Sequence, residues 1–422
     1  MVPRTVAVLG GSYGGLGAVK ALLKGLPNDW RIVLVDRNSH FNHLYVFPRY
    51  TVVSGHEHKA FIPYTGVIPQ NSDITSPEGR HLVLHASVTG LDASFVSLSR
   101  AFPEVGLTEP KLPYDYLVYA LGNHLPEPID TWNPVNIAAE AYDGTKPQGI
   151  QWLKHAQKRV EAAPSVLVVG GGALGIQYAT DIKELYPEKH VTILHSRAQL
   201  LPRYDPAMHD GILAVMNELG VNVVLGERLD MTSVAPSDLT KSNEHVVRTL
   251  SGKELRADLI LLCTGQTANS ELMAGFLPNS VVRSGSRKGL IRVTKALQVA
   301  IPSDDSVGDD SYEGLAAAHP NIFAVGDTTD AFGAQQAGHI AHGQGDLAVS
   351  NILKLIQDGP GAALNQYTPG PPGIKISLGL SRGLFQRQTG ITELKDQPLD
   401  WHAPHFWKVL GWPEVKDEDM LQ

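Results

Sequence analysis

The chain has 422 residues, 43% hydrophobic and 18% charged, a make-up that implies a globular protein of two or three packed units and excludes collagen-like, coiled-coil and low-complexity architectures. Its formal net charge of −8 argues against a surface that binds nucleic acid or anionic lipid, since both need clustered Lys and Arg. The single cysteine, Cys263, excludes an intramolecular disulfide and any electron relay through a cysteine pair of the chain's own.

The opening stretch MVPRTVAVLGG runs directly into a strand pattern, with no secretory-signal pattern and with Val2 where a myristoylation motif needs glycine. No apolar run is long enough to span a bilayer, so the expectation is a soluble, cytoplasmic protein. TVAVLGG, the turn GGSYGG, the helical GLGAVKALLKGL and the strand RIVLVDR form a strand, turn, helix, strand unit ending at Asp36 and Arg37. Such a unit cradles a dinucleotide: helix N-terminal N–H groups and the helix dipole hold a pyrophosphate, and an acid ending the second strand holds ribose hydroxyls. Gly10 makes the tight turn, Gly15 allows close helix packing, and Asp36 is the candidate ribose ligand. Ser12 stands where the usual fingerprint has its second glycine.

Farther along, YDYLVYALG ends a strand pattern in a glycine turn at Gly122. A second unit, SVLVVGGGALGIQYATDI followed by HVTILHSR, carries the full fingerprint in Gly170, Gly172 and Gly175. Its second strand ends in His195, Ser196 and Arg197 rather than in an acid. A 2′-phosphate meets no like charge there and Arg197 can pair with it, which favours NADPH over NADH; Arg197 facing solvent is the alternative left open. ADLILLCTGQ reads as a core strand that buries Cys263 and then turns at Gly265. SDDSVGDDSYEG (303–314) reads as an exposed acidic loop, and NIFAVGDTTD places Gly326 and Asp327 at another strand end. His339 and His342 are spaced to share a helical face, where either is a candidate proton donor to a reduced product, with ordinary helix packing as the simpler reading. The Pro/Gly-rich GPGAALNQYTPGPPG leads into an aromatic tail, LDWHAPHFWKVLGWPEVKD, read chiefly as core packing, with a substrate lid, a dimer face or peripheral membrane contact as the other readings.

Seventeen histidines raise the question of a metal, but no Cys/His set has zinc spacing and no HExxH occurs, so none is expected. A GxSxG elbow is also missing, which removes support for nucleophilic hydrolysis.

Taken in order, GGSYGG, VLVDR, YDYLVYALG, GGGALG, LILLCTG and NIFAVGD resemble the flavoproteins with two dinucleotide-binding domains, the pyridine nucleotide-disulfide oxidoreductase superfamily without its redox disulfide. Within them the chain is most similar to the AIF-like, ferroptosis-suppressor-protein-like FAD-dependent NAD(P)H:quinone oxidoreductases, from Val6 to about Gly379. The resemblance implies an α/β fold of two Rossmann-like, glutathione-reductase-like domains plus a small C-terminal α+β domain. The FAD-binding domain would comprise residues 1–125 and 291–365, the NAD(P)H-binding domain 126–290 and an interface domain 366–422.

It also implies that FAD meets Gly10, Ser12, Gly14 and Gly15 at its pyrophosphate, Asp36 with Arg37 at its ribose, and Val88 at its adenine. Asp327 with Gly326 would meet the ribityl chain, Gln336 and Gly122 would lie along the rest of the cofactor, and Arg49 (from HFNHLYVFPRY) would contact the pyrophosphate or the flavin edge, with an arginine stacked on Tyr or Phe near the surface as the alternative left open. NADPH or NADH, as co-substrate, would meet Gly170, Gly172, Gly175, His195, Ser196, Arg197 and Gly265. Gln177 departs from the family, which usually has an acid there, and keeps only a hydrogen-bonding amide near the nicotinamide. The implied activity is hydride transfer from NAD(P)H to FAD and onward to a diffusible, quinone-like small molecule, by a monomer or homodimer. Two alternatives stand beside it: a tailoring oxidoreductase of secondary metabolism acting on an aromatic or polyketide substrate, and an AIF-type redox-sensing binding protein with slow turnover.

Overall fold

Short runs of Val, Ile and Leu, apolar on both faces, alternate with helices carrying one apolar stripe, a pattern that builds parallel sheets covered by helices. The computed structural model describes residues 4–69, 80–126, 129–130, 143–235, 239, 244–303 and 311–421. In chain order the elements used below are β1 (Arg4–Leu9), α1 (Tyr13–Gly25), β2 (Trp30–Asp36), β3 (Leu82–His85), β4 (Tyr116–Tyr119), α2 (Lys146–Ala162), β5 (Ser165–Val169), α3 (Ala173–Leu185), β6 (His190–His195), α4 (Pro206–Leu219), β7 (Asn222–Leu225), β8 (Leu259–Leu262), β9 (Ile322–Ala324), α5 (Gly338–Asp358), β10 (Ile374–Leu378), β11 (Arg382–Arg387), β12 (Gly390–Leu394) and α6 (Ala403–Val409).

The described residues form two compact units, one drawn from Met1–Phe41, Pro63–His124 and Thr267–Gly370, the other from Asn42–Ile62, Leu125–Gln266 and Pro371–Gln422. In the first, a five-stranded parallel sheet runs in the order β9-β4-β1-β2-β3, with Val6 paired to both Ile32 and Tyr116. Helices α1 and α5 cross very closely because glycines line the crossing. A Cβ on Gly345 would overlap the Gly14 carbonyl oxygen, and one on Gly17 would press on the His342 backbone.

In the second unit the parallel order is β7-β6-β5-β8, with Val166 paired to Val191 and Leu259. The antiparallel sheet β10-β11-β12 joins the same core: Ile376, Leu378 and Leu384 are buried in one cluster with Val168, Ile176, Ile182 and Ile193.

These units differ from the domain boundaries expected from the sequence. Residues 371–421 share the core of the second glycine cradle, because the inner face of β10 and β11 is apolar and covers α3 and α4. Residues 42–62, expected within 1–125, also belong to the second unit: Phe47, Tyr50 and Phe61 are buried with Trp152 and Leu153 of α2. Most of the expected acidic loop, residues 304–310, lies outside the described residues. Among the described residues no helix is long and apolar enough to cross a membrane.

Candidate functional site

In the first unit, β1 delivers the chain to Gly10, whose φ of 90° and missing side chain let it turn beneath the Ala120 carbonyl, where a Cβ would overlap. Gly15 lies so close to the Gly10 carbonyl oxygen that no side chain fits. Ser12 takes the N-cap position of α1 in an extended conformation, and its hydroxyl makes no capping hydrogen bond. The first turn of α1 therefore has no side-chain cap, the arrangement that suits a phosphate.

Asp36, at the end of β2, accepts hydrogen bonds from the backbone N–H groups of Gly11 and of Asn38, the latter at 2.6 Å. Burial pushes its carboxyl pKa upward, against the pull of those two donors and of the Tyr64 hydroxyl. Arg37 is exposed, and its carbonyl faces His85 Nε2 at 3.0 Å. Val88 opens a short antiparallel strand opposite Leu98. Gly122 has a φ of 63° with open space where a side chain would stand, and its carbonyl accepts from Asn269 N–H at 3.0 Å.

Beyond β9 the chain turns at Gly326 (φ 80°), whose N–H donates to Gln344 Oε1 at 2.7 Å. Asp327 follows, its carboxyl pushed up to about 6 by burial. Gln336 Nε2 donates to the Asp327 carbonyl at 2.9 Å. A small cavity, partly open to solvent, is lined here by Asp327, Gln335, Gln336, Ile340 and Gln344, among others. Gly14 joins this turn to the first cradle, since a Cβ there would lie 3.3 Å from Val325 and 3.5 Å from the Ala341 carbonyl. The structure thus gathers Gly10, Ser12, Gly14, Gly15, Asp36, Gly326, Asp327 and Gln336 at the carboxyl end of one parallel sheet. His339 is exposed and His342 is 3.8 Å from Asp346; neither lines the cavity, because α5 turns Ile340, Ala341 and Gln344 toward it.

In the second unit the cradle repeats. Gly170 (φ 122°) turns against the Cys263 carbonyl, and Gly175 stands against the Gly170 carbonyl. Gly172 is the N-cap of α3, again without a capping side chain and with open space where a Cβ would be. Gly265 (φ 135°) is open in the same sense.

His195 occupies the place that Asp36 has in the first cradle: Gly11 N–H donates to Asp36, and Gly171 N–H donates to His195 Nδ1 at 3.0 Å. An imidazole that accepts at Nδ1 carries its proton on Nε2 and is neutral. Burial lowers its pKa and the nearby Arg197 cation lowers it further, opposed by the Gln199 backbone. Ser196 is half-buried and Arg197 exposed. The Gln177 amide nitrogen is buried and has no hydrogen-bond partner among the described residues. Cys263 packs against the core and burial pushes its thiol pKa up, as suits a packing residue.

Arg49 is corrected by the structure. Expected at the pyrophosphate or the flavin edge, or else stacked on an aromatic ring near the surface, its side chain is wholly buried within the second unit. Nε donates to Asp181 Oδ2 at 2.7 Å, Nη2 to Asp181 Oδ1 at 3.1 Å, to Ser377 Oγ at 3.1 Å and to the Gly379 carbonyl at 2.6 Å, and Nη1 to the Leu380 carbonyl at 3.0 Å. A guanidinium has five N–H groups, and the protein engages all three of its nitrogens. Tyr64 and Gln344, which touch the first cradle and the Asp327 turn, were not legible in the sequence, because neither falls in a motif.

Both cradles meet the steric demands of a bound dinucleotide, with uncapped helix starts and glycines where a Cβ would collide. Two of them in one chain are the equipment of a flavoprotein that exchanges electrons with a nicotinamide nucleotide. A profile of the pyridine nucleotide-disulphide oxidoreductases matches residues 4–345, and the chain belongs to that family. It is an FAD-dependent oxidoreductase that uses NAD(P)H.

Among its relatives, Fe-regulated protein 8 of Mycosarcoma maydis is 41% identical over 99% of this chain and 97% of the relative. Ferroptosis suppressor protein 1 of Homo sapiens is 28% identical over 90% of this chain and 88% of its own. The solved sulfide:quinone oxidoreductase of Aquifex aeolicus superposes with a TM-score of 0.65 at 15% identity, covering 96% of this chain and 90% of that one. NDH2 from Plasmodium falciparum in complex with NADH gives 0.64 at 13% identity, covering 99% and 96%. These two share the fold with this chain.

Proposed function

We propose that the chain is an NADPH-preferring reductase of a diffusible quinone. One observation carries the choice of a diffusible acceptor: with a single cysteine, the chain offers no dithiol to receive electrons. When bound, FAD supplies the two-electron chemistry between nicotinamide and acceptor. The chain's own part is binding and orientation.

In this reading Gly10, Ser12, Gly14 and Gly15 hold the FAD pyrophosphate, Asp36 and Arg37 its ribose end, and Val88 its adenine. Gly122, Gly326, Asp327 and Gln336 hold the remainder. The second cradle, with Gly170, Gly172, Gly175 and Gly265, holds the nucleotide that exchanges. The preference for NADPH is supported by the contrast between the two cradles: a carboxylate ends β2, whereas a neutral His195 ends β6, followed by the donors Ser196 and Arg197. A 2′-phosphate is repelled by a carboxylate and can accept from Ser196 and Arg197.

The test is an anaerobic titration of the yellow protein with NADPH and, separately, NADH, following the flavin band, and then addition of a short-chain quinone. Rapid bleaching with NADPH and rapid recovery with quinone are expected; a reduced species that quinone leaves unchanged refutes the reading. Arg197→Ala should raise the KM for NADPH and leave that for NADH, and an equal effect on both removes the 2′-phosphate assignment.

A further inference from the structure

Asp330, three residues beyond Asp327, is a buried carboxylate with no place in the binding roles above. Its side chain is 5% exposed, and it accepts from Arg287 Nη1 at 2.5 Å and from the Tyr312 hydroxyl at 3.0 Å. Burial pushes its carboxyl pKa up, opposed by the Tyr312 hydroxyl and by the Arg287 and Arg292 cations. The Arg287 guanidinium also stacks over the Tyr312 ring at 4.2 Å, and that ring lies 5.1 Å from the ring of Phe332. Sequestering a carboxylate and an arginine from water is unfavourable unless the geometry is good, so the pair marks a place where position matters.

What is positioned is the next turn. Ala334 N–H donates to the Ala331 carbonyl at 3.0 Å, and the two residues between them, Phe332 and Gly333, have φ values of 55° and 74°. This has the form of a type I′ turn, which Gly333 adopts freely and Phe332 only under constraint. A bulky residue stays in that region when its surroundings overdetermine it, and Asp330 on one side with the Tyr312 ring on the other provide the constraint. The turn reverses the chain and returns Gln335 and Gln336 to Asp327, where Gln336 donates to the Asp327 carbonyl at 2.9 Å and Gln335 lines the same cavity. Gln335 Oε1, on that cavity, is buried without a hydrogen-bond partner among the described residues, an acceptor that a bound group can complete.

We propose that Arg287 and Tyr312 are positioning residues of the FAD site, holding, through Asp330, the strained turn that keeps Gln335 and Gln336 beside Asp327. The proposal rests on the reading that the Asp327 turn holds FAD. Neither residue lines the cavity beside Asp327, and each acts through the loop.

The experiment compares Tyr312→Phe, Arg287→Met, Phe332→Gly and the double variant Arg287→Met/Phe332→Gly with the parent and with Asp327→Ala. The readouts are the FAD dissociation constant by fluorescence, the flavin absorption maximum and midpoint potential, and the thermal midpoint of the flavin-free chain. Loss of a charge-assisted hydrogen bond corresponds to about a tenfold or greater change in equilibrium, so Tyr312→Phe and Arg287→Met should weaken FAD by about tenfold or more, with a shift in potential. Phe332→Gly takes the turn without strain, so adding it to Arg287→Met should recover most of the lost affinity. Parent-like FAD binding and potential in Tyr312→Phe and Arg287→Met, beside an Asp327→Ala variant that has lost flavin, would overturn the positioning role and leave the FAD assignment standing. Full flavin retention by Asp327→Ala would overturn the assignment itself, and the proposal with it.

Discussion

Replacing Arg49 by Met removes the cation from a site where Asp181 is also wholly buried. The remaining carboxylate keeps a hydrogen bond donated by the Ser377 hydroxyl at 3.4 Å. Leaving one member of a buried pair uncompensated costs roughly 3–5 kcal/mol. Arg49 also donates to the Gly379 and Leu380 carbonyls, so the turn between β10 and β11 loses its anchor as well. For a unit of this size each kcal/mol lowers the thermal midpoint by about 2–4 °C, so a fall on the order of 6–20 °C is expected. The double variant Arg49→Met/Asp181→Leu replaces both charges with apolar groups and should recover at least about 2 kcal/mol of the loss.

The assay is urea unfolding of the purified chain at fixed saturating FAD, with the flavin content of the folded fraction measured separately. A loss below about 1 kcal/mol, the value of an exposed pair, would refute the claim that the buried pair holds this unit together. Unchanged stability with selective loss of flavin would instead make Arg49 a flavin ligand.

Gly345→Ala sets helix propensity against packing. Alanine favours the helix by about 1 kcal/mol, but its Cβ would overlap the Gly14 carbonyl, which belongs to backbone and cannot turn aside. A net loss of about 1–3 kcal/mol is expected in denaturant unfolding, and an increase in stability would show that the α1 and α5 crossing yields easily. In flavin-stripped protein, burial holds the Asp327 carboxyl at a pKa of about 6 when folded, against the ordinary carboxylate value of 3.8 when unfolded. Between those values the folded state binds more protons, so this group's contribution to stability falls as pH rises, by at most about 1.4 kcal/mol per pH unit. Asp327→Asn should flatten that part of the profile of urea midpoints, and an unaltered slope would assign it to other groups. Cys263→Ala should leave kcat within about twofold, because burial raises its thiol pKa and makes it a poor nucleophile; a collapse of turnover would give the thiol a chemical role.

Much of this protein can be read from short stretches. The two glycine cradles, Asp36 at the end of β2 and the Gly326-Asp327 turn were legible because each depends on backbone geometry within a few residues: a φ that only glycine takes easily, a helix start, the end of a strand. The absence of a redox dithiol follows from counting cysteines.

The tertiary structure decided what depends on side chains meeting across the chain. Arg49 finds Asp181 at a separation of 132 residues, and no local pattern distinguishes an arginine facing a cofactor from one sealed in a core. The C-terminal sheet joined the second unit because its apolar face matched α3 and α4, a fit decided by shape and not by period. Tyr312 and Arg287 converge on Asp330 from separations of 18 and 43 residues. Motifs record what the backbone must do at one place; the partners of buried charges depend on desolvation, which exists only after the chain has folded.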